Sequence, residues 1–442
     1  MTASALPALR RISLAVLMAT TAPVLWAQAA NPAPAPTARA EVAKPLQLAQ
    51  ELLKAGKAME SLAELRVAEQ VGSLNDYERY LIARTRAVAA LRAKELGLAV
   101  EAFEAALASP LTPAADRPSM LDTLARSHLQ LRQFGPAVST LRRYLQEGGA
   151  DPAVRALLPQ ALYLSGDAAA AAKELLPLLQ ADEAAGRKPS EATLRLLVSA
   201  YAKASDEAGV YAALERQATL YPKPEVWAQL LSRVSTRPGF NDGLTLDLLR
   251  LKQAAGALRE DAEDLELAVL AMEAGLSTEA LLALEAGTQA GRLGSGPHAA
   301  EHQKLRDKAA KASAKEKAQL AVDRSAAQAA KDGNALALVG TAMVTAGQPA
   351  EAAKALADGL ARGGVKKPDE ARLHLAWAWV KAGNNDEAVK VLDSIKGTDG
   401  SAELARLWKA WLRSCRHRNK LPGLGAGGAS SRPASAHPLA VH

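Results

Sequence analysis

The chain has 442 residues, 49% of them apolar, yet Phe occurs only 3 times. Its core must then rest mainly on Ala and Leu, which lead the helix scale and are not β-branched, a composition that favours close-packed helices over sheets. The net charge of +7 looks like a hint of nucleic acid, but seven basic residues fall in 1–29 and 412–442, where no acid stands. Taking these seven from 54 leaves 47 against 47 acidic residues, and a body neutral overall argues against a general phosphate-binding surface.

The first stretch reads as a processing signal. Arg10-Arg11 precede an apolar run from Ile12 to Trp26, and Ala27-Gln28-Ala29 forms a small-x-small cleavage site. The run is about 15 residues and holds Pro23, short for a membrane span. We expect a signal peptide over 1–29, cleavage near Ala29, export to a Gram-negative periplasm and no membrane span afterwards. Cys415 is the single cysteine, so no intrachain disulfide can form there. Residues 30–40 are a Pro/Ala linker.

From 41 to 296 the pattern is short helix, turn, short helix. The units are Val42–Lys54 with Ala58–Val71, Asp76–Leu96 with Leu98–Ser109, Pro118–Glu147, Pro152–Gln180, Ser190–Tyr221, an irregular Pro224–Gly256 broken at Arg237-Pro238-Gly239, and Ala262–Ala290. Ala49, Ala87, Ala125, Pro159 and Val198 occupy one slot in successive first helices, 38, 38, 34 and 39 residues apart. A period in the mid-thirties is the mark of a helical solenoid, in which each hairpin buries its apolar face on the next.

Residues 297–333 differ, being rich in Ala, Lys, Glu and Asp, with Pro297 placed to start a helix. They read as a degenerate eighth hairpin, with a charged helical arm as the alternative. Residues 334–412 return to the pattern as a C-terminal pair. Asp369 to Ile395 is the clearest hairpin, with Leu375, Ala376 and Trp379 on one face, Gly383 at the stop, and Ala388, Val391, Leu392 and Ile395 on the second helix. Residues 413–442 read as a disordered basic tail.

These residues carry a resemblance. Leu375-Ala376-x-x-Trp379, Gly383 and Ala388-x-x-x-Leu392 resemble the tetratricopeptide repeat, as do Val339-Gly340-x-x-Met343, Gly347 and Ala352-x-x-x-Leu356, and Ala99-x-x-x-Phe103. The layout is similar to exported repeat proteins of proteobacteria. The resemblance is weakest at 224–260 and 297–333. It implies an all-α fold, an α-solenoid or right-handed superhelix of about 8–10 such hairpins. It also implies a non-catalytic scaffold for a protein or peptide partner, with no cofactor or metal and self-association open.

In such an array the first helices line a concave groove. Residues just past the small slot are Arg126, Gln130, Gln160, Tyr163, Lys203, Trp377 and Lys381, with Arg84, Arg92 and Arg195 a turn away. We expect this basic groove to take an acidic peptide segment, with Trp377 or Tyr163 as an apolar anchor. Ordinary solvated helix residues are the bland alternative. A scaffold for envelope polysaccharide is a further reading, resting on Trp377. His298-x-x-Glu301-His302 has the spacing of a zinc hydrolase motif, but no third ligand or pocket is evident. Gly423 to Gly428 matches G-x-G-x-x-G without the flanking strand and helix a dinucleotide site needs.

Overall fold

The computed structural model describes residues 37–419, which form α-helices and one short 3-10 turn, with no strand among them. The expected signal peptide over 1–29 and the Gly-rich stretch after residue 420 lie outside the described residues. The chain divides into two compact units, the first ending at Met120.

The first unit is built from α1 (Ala40–Lys54), α2 (Ala58–Gln70), α3 (Asp76–Arg92) and α4 (Leu96–Ala108). The small slots work as the spacing predicts. Ala49 and Ala87 are fully buried, and the Ser61 hydroxyl reaches the Ala49 carbonyl at 2.8 Å, which only a close pair of axes allows. Glu78 closes a capping box with Asn75 at the start of α3 and takes the Arg39 guanidinium at 2.8 and 2.9 Å. The hydrogen bonds from Arg39 hold its carboxyl down at about 2, although burial works the other way.

The second unit begins within α5 (Arg117–Gln130). It continues through α6 (Phe134–Gln146), α7 (Pro152–Arg155), α8 (Leu157–Ser165), α9 (Ala168–Ala184), α10 (Glu191–Lys203), α11 (Glu207–Leu220) and α12 (Pro224–Leu231). After the Pro238-Gly239 break and a 3-10 turn at Asp242–Leu244 come α13 (Thr245–Ala254), α14 (Asp261–Glu273) and α15 (Ser277–Gln289). The chain ends in α16 (Ala299–Ala329), α17 (Asn334–Thr345), α18 (Pro349–Arg362), α19 (Pro368–Lys381), α20 (Asn385–Asp393) and α21 (Ser401–Asn419).

Of the two readings of residues 297–333, the single helix is the one seen: α16 is one helix of 31 residues, beginning two residues after Pro297, and not a hairpin. Its buried positions are His302, Ala309, Ser313, Leu320 and Ala327, with Arg306 and Glu316 half-buried between them. Steps of three and four along 302, 306, 309, 313, 316 and 320 make a continuous seam, so the helix packs along its length on small and polar residues. Nor does the fold stop near 413, for α21 runs to Asn419.

The second unit also closes on itself. Leu404, Leu407 and Trp408 of α21 share a core with Trp227 and Leu230 of α12 and with Tyr211 and Leu214 of α11. Arg406 pairs with Glu215 and donates to the Tyr211 hydroxyl at 3.3 Å, Arg237 meets Glu403 at 3.3 Å, and the Asn241 N–H donates to the Asp399 carbonyl at 2.8 Å. Both guanidiniums lie over the Tyr211 ring, at 4.3 and 5.5 Å. Helices α11 to α21 therefore form a ring in which the last helix covers the apolar face of the first.

Candidate functional site

The short helix α13 is enclosed on every side. Asp247, Leu248, Leu249, Arg250 and Leu251 are five consecutive buried residues. A charge inside such a helix needs a partner, and Arg250 has two. Its Nε and Nη2 donate to Glu279 at 2.7 Å each, and its Nη1 donates to Asp247 at 2.8 Å. The guanidinium lies 4.5 Å from the centre of the Trp377 ring. His374 Nε2 stands 3.2 Å from Asp247, and its Nδ1 is 3.0 Å from the Thr341 hydroxyl.

The charges set one another. Burial alone would push the Asp247 carboxyl up, but His374 and Arg250 outweigh it and hold it at about 2. Burial works against the Arg250 cation, yet Glu279 and Asp247 raise it above its ordinary range. Both ions persist at any physiological pH.

This network floors a cavity of about 440 Å³ inside the ring. Leu246, Leu270, Leu276, Leu320 and Leu338 supply apolar wall, and Asp242, Glu316, Asp323, Lys367 and Glu370 supply charge. Burial pushes the Glu316 carboxyl up, partly offset by N–H groups of Thr278 and Ser277. Thr341, His374 and Asp247 are connected in the order of an acyl-transfer relay. However, Thr341 is 4% exposed and its hydroxyl donates to the Ala337 carbonyl at 2.9 Å within its own helix. The groups are committed to one another, which suits a rigid binding floor better than a nucleophile.

Of the residues singled out from sequence, Trp377 alone belongs to this network, and the others lie elsewhere. In the first unit, Arg84 pairs with Asp116 at 3.1 Å and Arg92 caps the Leu53 carbonyl at 2.9 Å. In the second, Arg126 pairs with Asp122 at 2.6 Å along its own helix, while Gln130, Arg195 and Lys381 are exposed. Lys203 lies 5.0 Å over the Tyr163 ring and donates to the Tyr163 carbonyl, and Gln160 lines a separate cavity with Arg155 and Thr193. Trp377 is the clear correction: it is 5% exposed beneath Arg250 and can anchor neither a peptide nor a sugar. His298 faces Glu301 at 3.1 Å, whereas His302 is buried and its Nδ1 accepts the Gly294 N–H at 3.2 Å. The three motif residues thus serve the start of α16, and no group of metal-binding residues occurs among the described residues.

The sequence reading missed Asp247, Arg250, Glu279 and Glu316. A signal was available in Leu246-Asp247-Leu248-Leu249-Arg250-Leu251, where an i,i+3 ion pair interrupts an otherwise apolar run. Among the described residues no helix is long and apolar enough to cross a membrane.

Residues 343–412 match the family model of the tetratricopeptide repeat. No curated protein matches the chain. Among solved structures, the chain is similar to one described as Naa15/Naa10 bound to HypK-THB, at 14% identity and a TM-score of 0.36, over 86% of this chain and 61% of that one. It thus spans about three-fifths of that neighbour. It is also similar to the C-terminal part of a tetratricopeptide repeat-containing protein from Cytophaga hutchinsonii, at 12% identity and a TM-score of 0.30, over 78% and 99% of the two chains. A third is the complex of the TPR2AB domain of yeast Sti1 with pHSP90, at 11% identity and a TM-score of 0.23, over 68% and 99%. The match to the tetratricopeptide repeat is confined to the C-terminal hairpins.

Proposed function

From repeats of this kind closed around a charged cavity, we propose a non-catalytic scaffold that holds a segment of another protein, and that works in the periplasm. The single observation that carries the binding reading is the cavity of about 440 Å³ floored by Asp247 and Arg250, with Glu279 holding Arg250 from behind. A recess with apolar walls and a few fixed polar groups is the usual form of a recognition site. Export is supported by the residues before Ala29.

A photo-reactive benzoylphenylalanine at Leu338, a 64% exposed residue of the cavity wall, tests the binding reading in living cells. One discrete protein adduct is expected at this position and none at Lys381, which lies outside the cavity. Equal labelling at both positions would sink the assignment. Intact mass of the natural protein tests export, with a mature chain starting near residue 30 expected.

A further inference from the structure

The cavity carries uncompensated negative charge. Arg250 is held by Asp247 and Glu279, and Lys367 by Glu370 at 2.8 Å. Asp242, Glu316 and Asp323 remain on the wall with no ion-pair partner among the described residues. Glu316 is half-committed. Its Oε2 accepts the Thr278 N–H at 2.9 Å and so caps α15, while its Oε1 is buried and accepts from no group of the protein. A buried carboxylate oxygen without a donor is costly, and the Glu279 charge nearby adds to the cost. A cation from outside relieves both. The wall also selects the kind of cation, because the apolar groups of Leu246, Leu276 and Leu338 suit an aliphatic stem and do nothing for a bare ion. The volume exceeds that of a single ion, and no metal-binding group occurs among the described residues.

We propose that the cavity receives a lysine or arginine side chain from the partner segment, its stem against Leu246, Leu276 and Leu338 and its charge towards the Glu316 carboxylate, with Asp242 and Asp323 on the same wall. This rests on the binding reading above and gives it a sign opposite to the basic groove expected from sequence.

The test uses the full chain and four fluorescein-labelled peptides, each Gly-Ser-Leu-X-Leu-Ser-Gly with X as lysine, arginine, norleucine or glutamate. Anisotropy reports affinity, and methyl NMR of Leu338 and Val339 reports the place. The lysine or arginine peptide should bind on the order of tenfold tighter than the norleucine peptide, and added salt should weaken only the basic ones. Glu316→Gln should erase that preference and retain the fold, since the amide oxygen can still cap α15; circular dichroism checks this. Asp323→Asn, at an exposed position, should reduce the preference less. Equal binding of the norleucine peptide, or preference for glutamate, overturns the proposal. If all four peptides shift the Leu338 and Val339 methyls without preference, the cavity binds segments and only the basic specificity falls. If none shifts them, the binding reading itself falls.

Discussion

Replacing Arg250 by Met probes the floor of the cavity without emptying it. Met keeps a long stem of similar volume, so lost packing should cost less than about 1.5 kcal/mol. The charge is another matter. The Arg250 side chain is 1% exposed and makes three charge-assisted hydrogen bonds of 2.7 to 2.8 Å. Without it, Asp247 and Glu279 stay buried, with Glu316 as a third carboxylate close by. Breaking a buried pair by removing one partner typically costs about 3–5 kcal/mol, most of it from the charge left behind. Arg250→Met should therefore lower the urea stability of the second unit by about 3 kcal/mol or more, followed by far-UV circular dichroism. Repeat arrays can unfold in stages, so hydrogen exchange of the α13 and α19 amides should place the loss inside the ring. Adding Glu279→Gln to the Met variant should restore at least about 1 kcal/mol, because it removes one stranded charge. The reasoning fails if Arg250→Met lies within about 1 kcal/mol of the parent. It fails equally if Glu279→Gln is as harmful with Met at 250 as with Arg.

Two glycines separate conformational from steric cost. Gly383 has φ +78 with nothing within 4 Å of an added Cβ, so Gly383→Ala should cost about 1 kcal/mol. Gly333 has an ordinary φ of -84, but a Cβ there would lie 1.7 Å from the Gly359 carbonyl oxygen. Gly333→Ala should cost about 3 kcal/mol and part α17 from α18; equal thermal shifts for the two variants would refute the distinction. The folded carboxyls of Asp247 and Glu78 are both held at about 2, below their unfolded values. Their contribution is complete above about pH 4 and lost as pH falls towards 2, so the urea midpoint should drop across that window. Asp247→Asn should flatten the drop, and an unchanged slope would contradict the assignment. Tyr211→Ala should remove about 3 kcal/mol of packing where the ring closes. Faster hydrogen exchange throughout α21 is expected, and unchanged protection there would show that the closure does not depend on this residue.

The hairpins were legible because their signals are local. Ala49, Ala87, Ala125 and Ala376 are buried where the period puts small residues, and Gly347 and Gly383 carry positive φ at the turns. The continuous helix α16 was legible only as the alternative to a hairpin, and its buried seam was not. A search for apolar periodicity looks for large side chains, and this seam is filled by His302, Ala309, Ser313 and Glu316, with Leu320 alone among them of the expected kind. Ring closure was not legible either. Leu404, Leu407 and Trp408 announce an apolar stripe, but Tyr211, which Arg406 reaches, lies 195 residues earlier. Trp377 was misplaced for the same reason. Counting from Ala376 points it into an open groove, and closure fills that side with α13 and Arg250.

The site appears where the repeat pattern is weakest. The resemblance fades at 224–260 and 297–333, and those two segments supply Asp242, Asp247 and Arg250 on one side of the cavity and Glu316 and Asp323 on the other. A regular repeat has to keep small apolar slots facing its neighbours, which leaves little freedom for buried charge. The Pro238-Gly239 break frees α13 from that register, and it can then turn an ion pair inward among leucines. The long α16 can likewise hold a carboxylate on its seam, because Thr278 and Ser277 offer it N–H groups at the start of α15. Local departures from a rule that the rest of a chain obeys are kept at a cost in stability, and function is the usual reason. On that argument the irregular segments mark the proposed binding surface more directly than the arginines of the regular hairpins, two of which, Arg84 and Arg126, are already neutralised by Asp116 and Asp122.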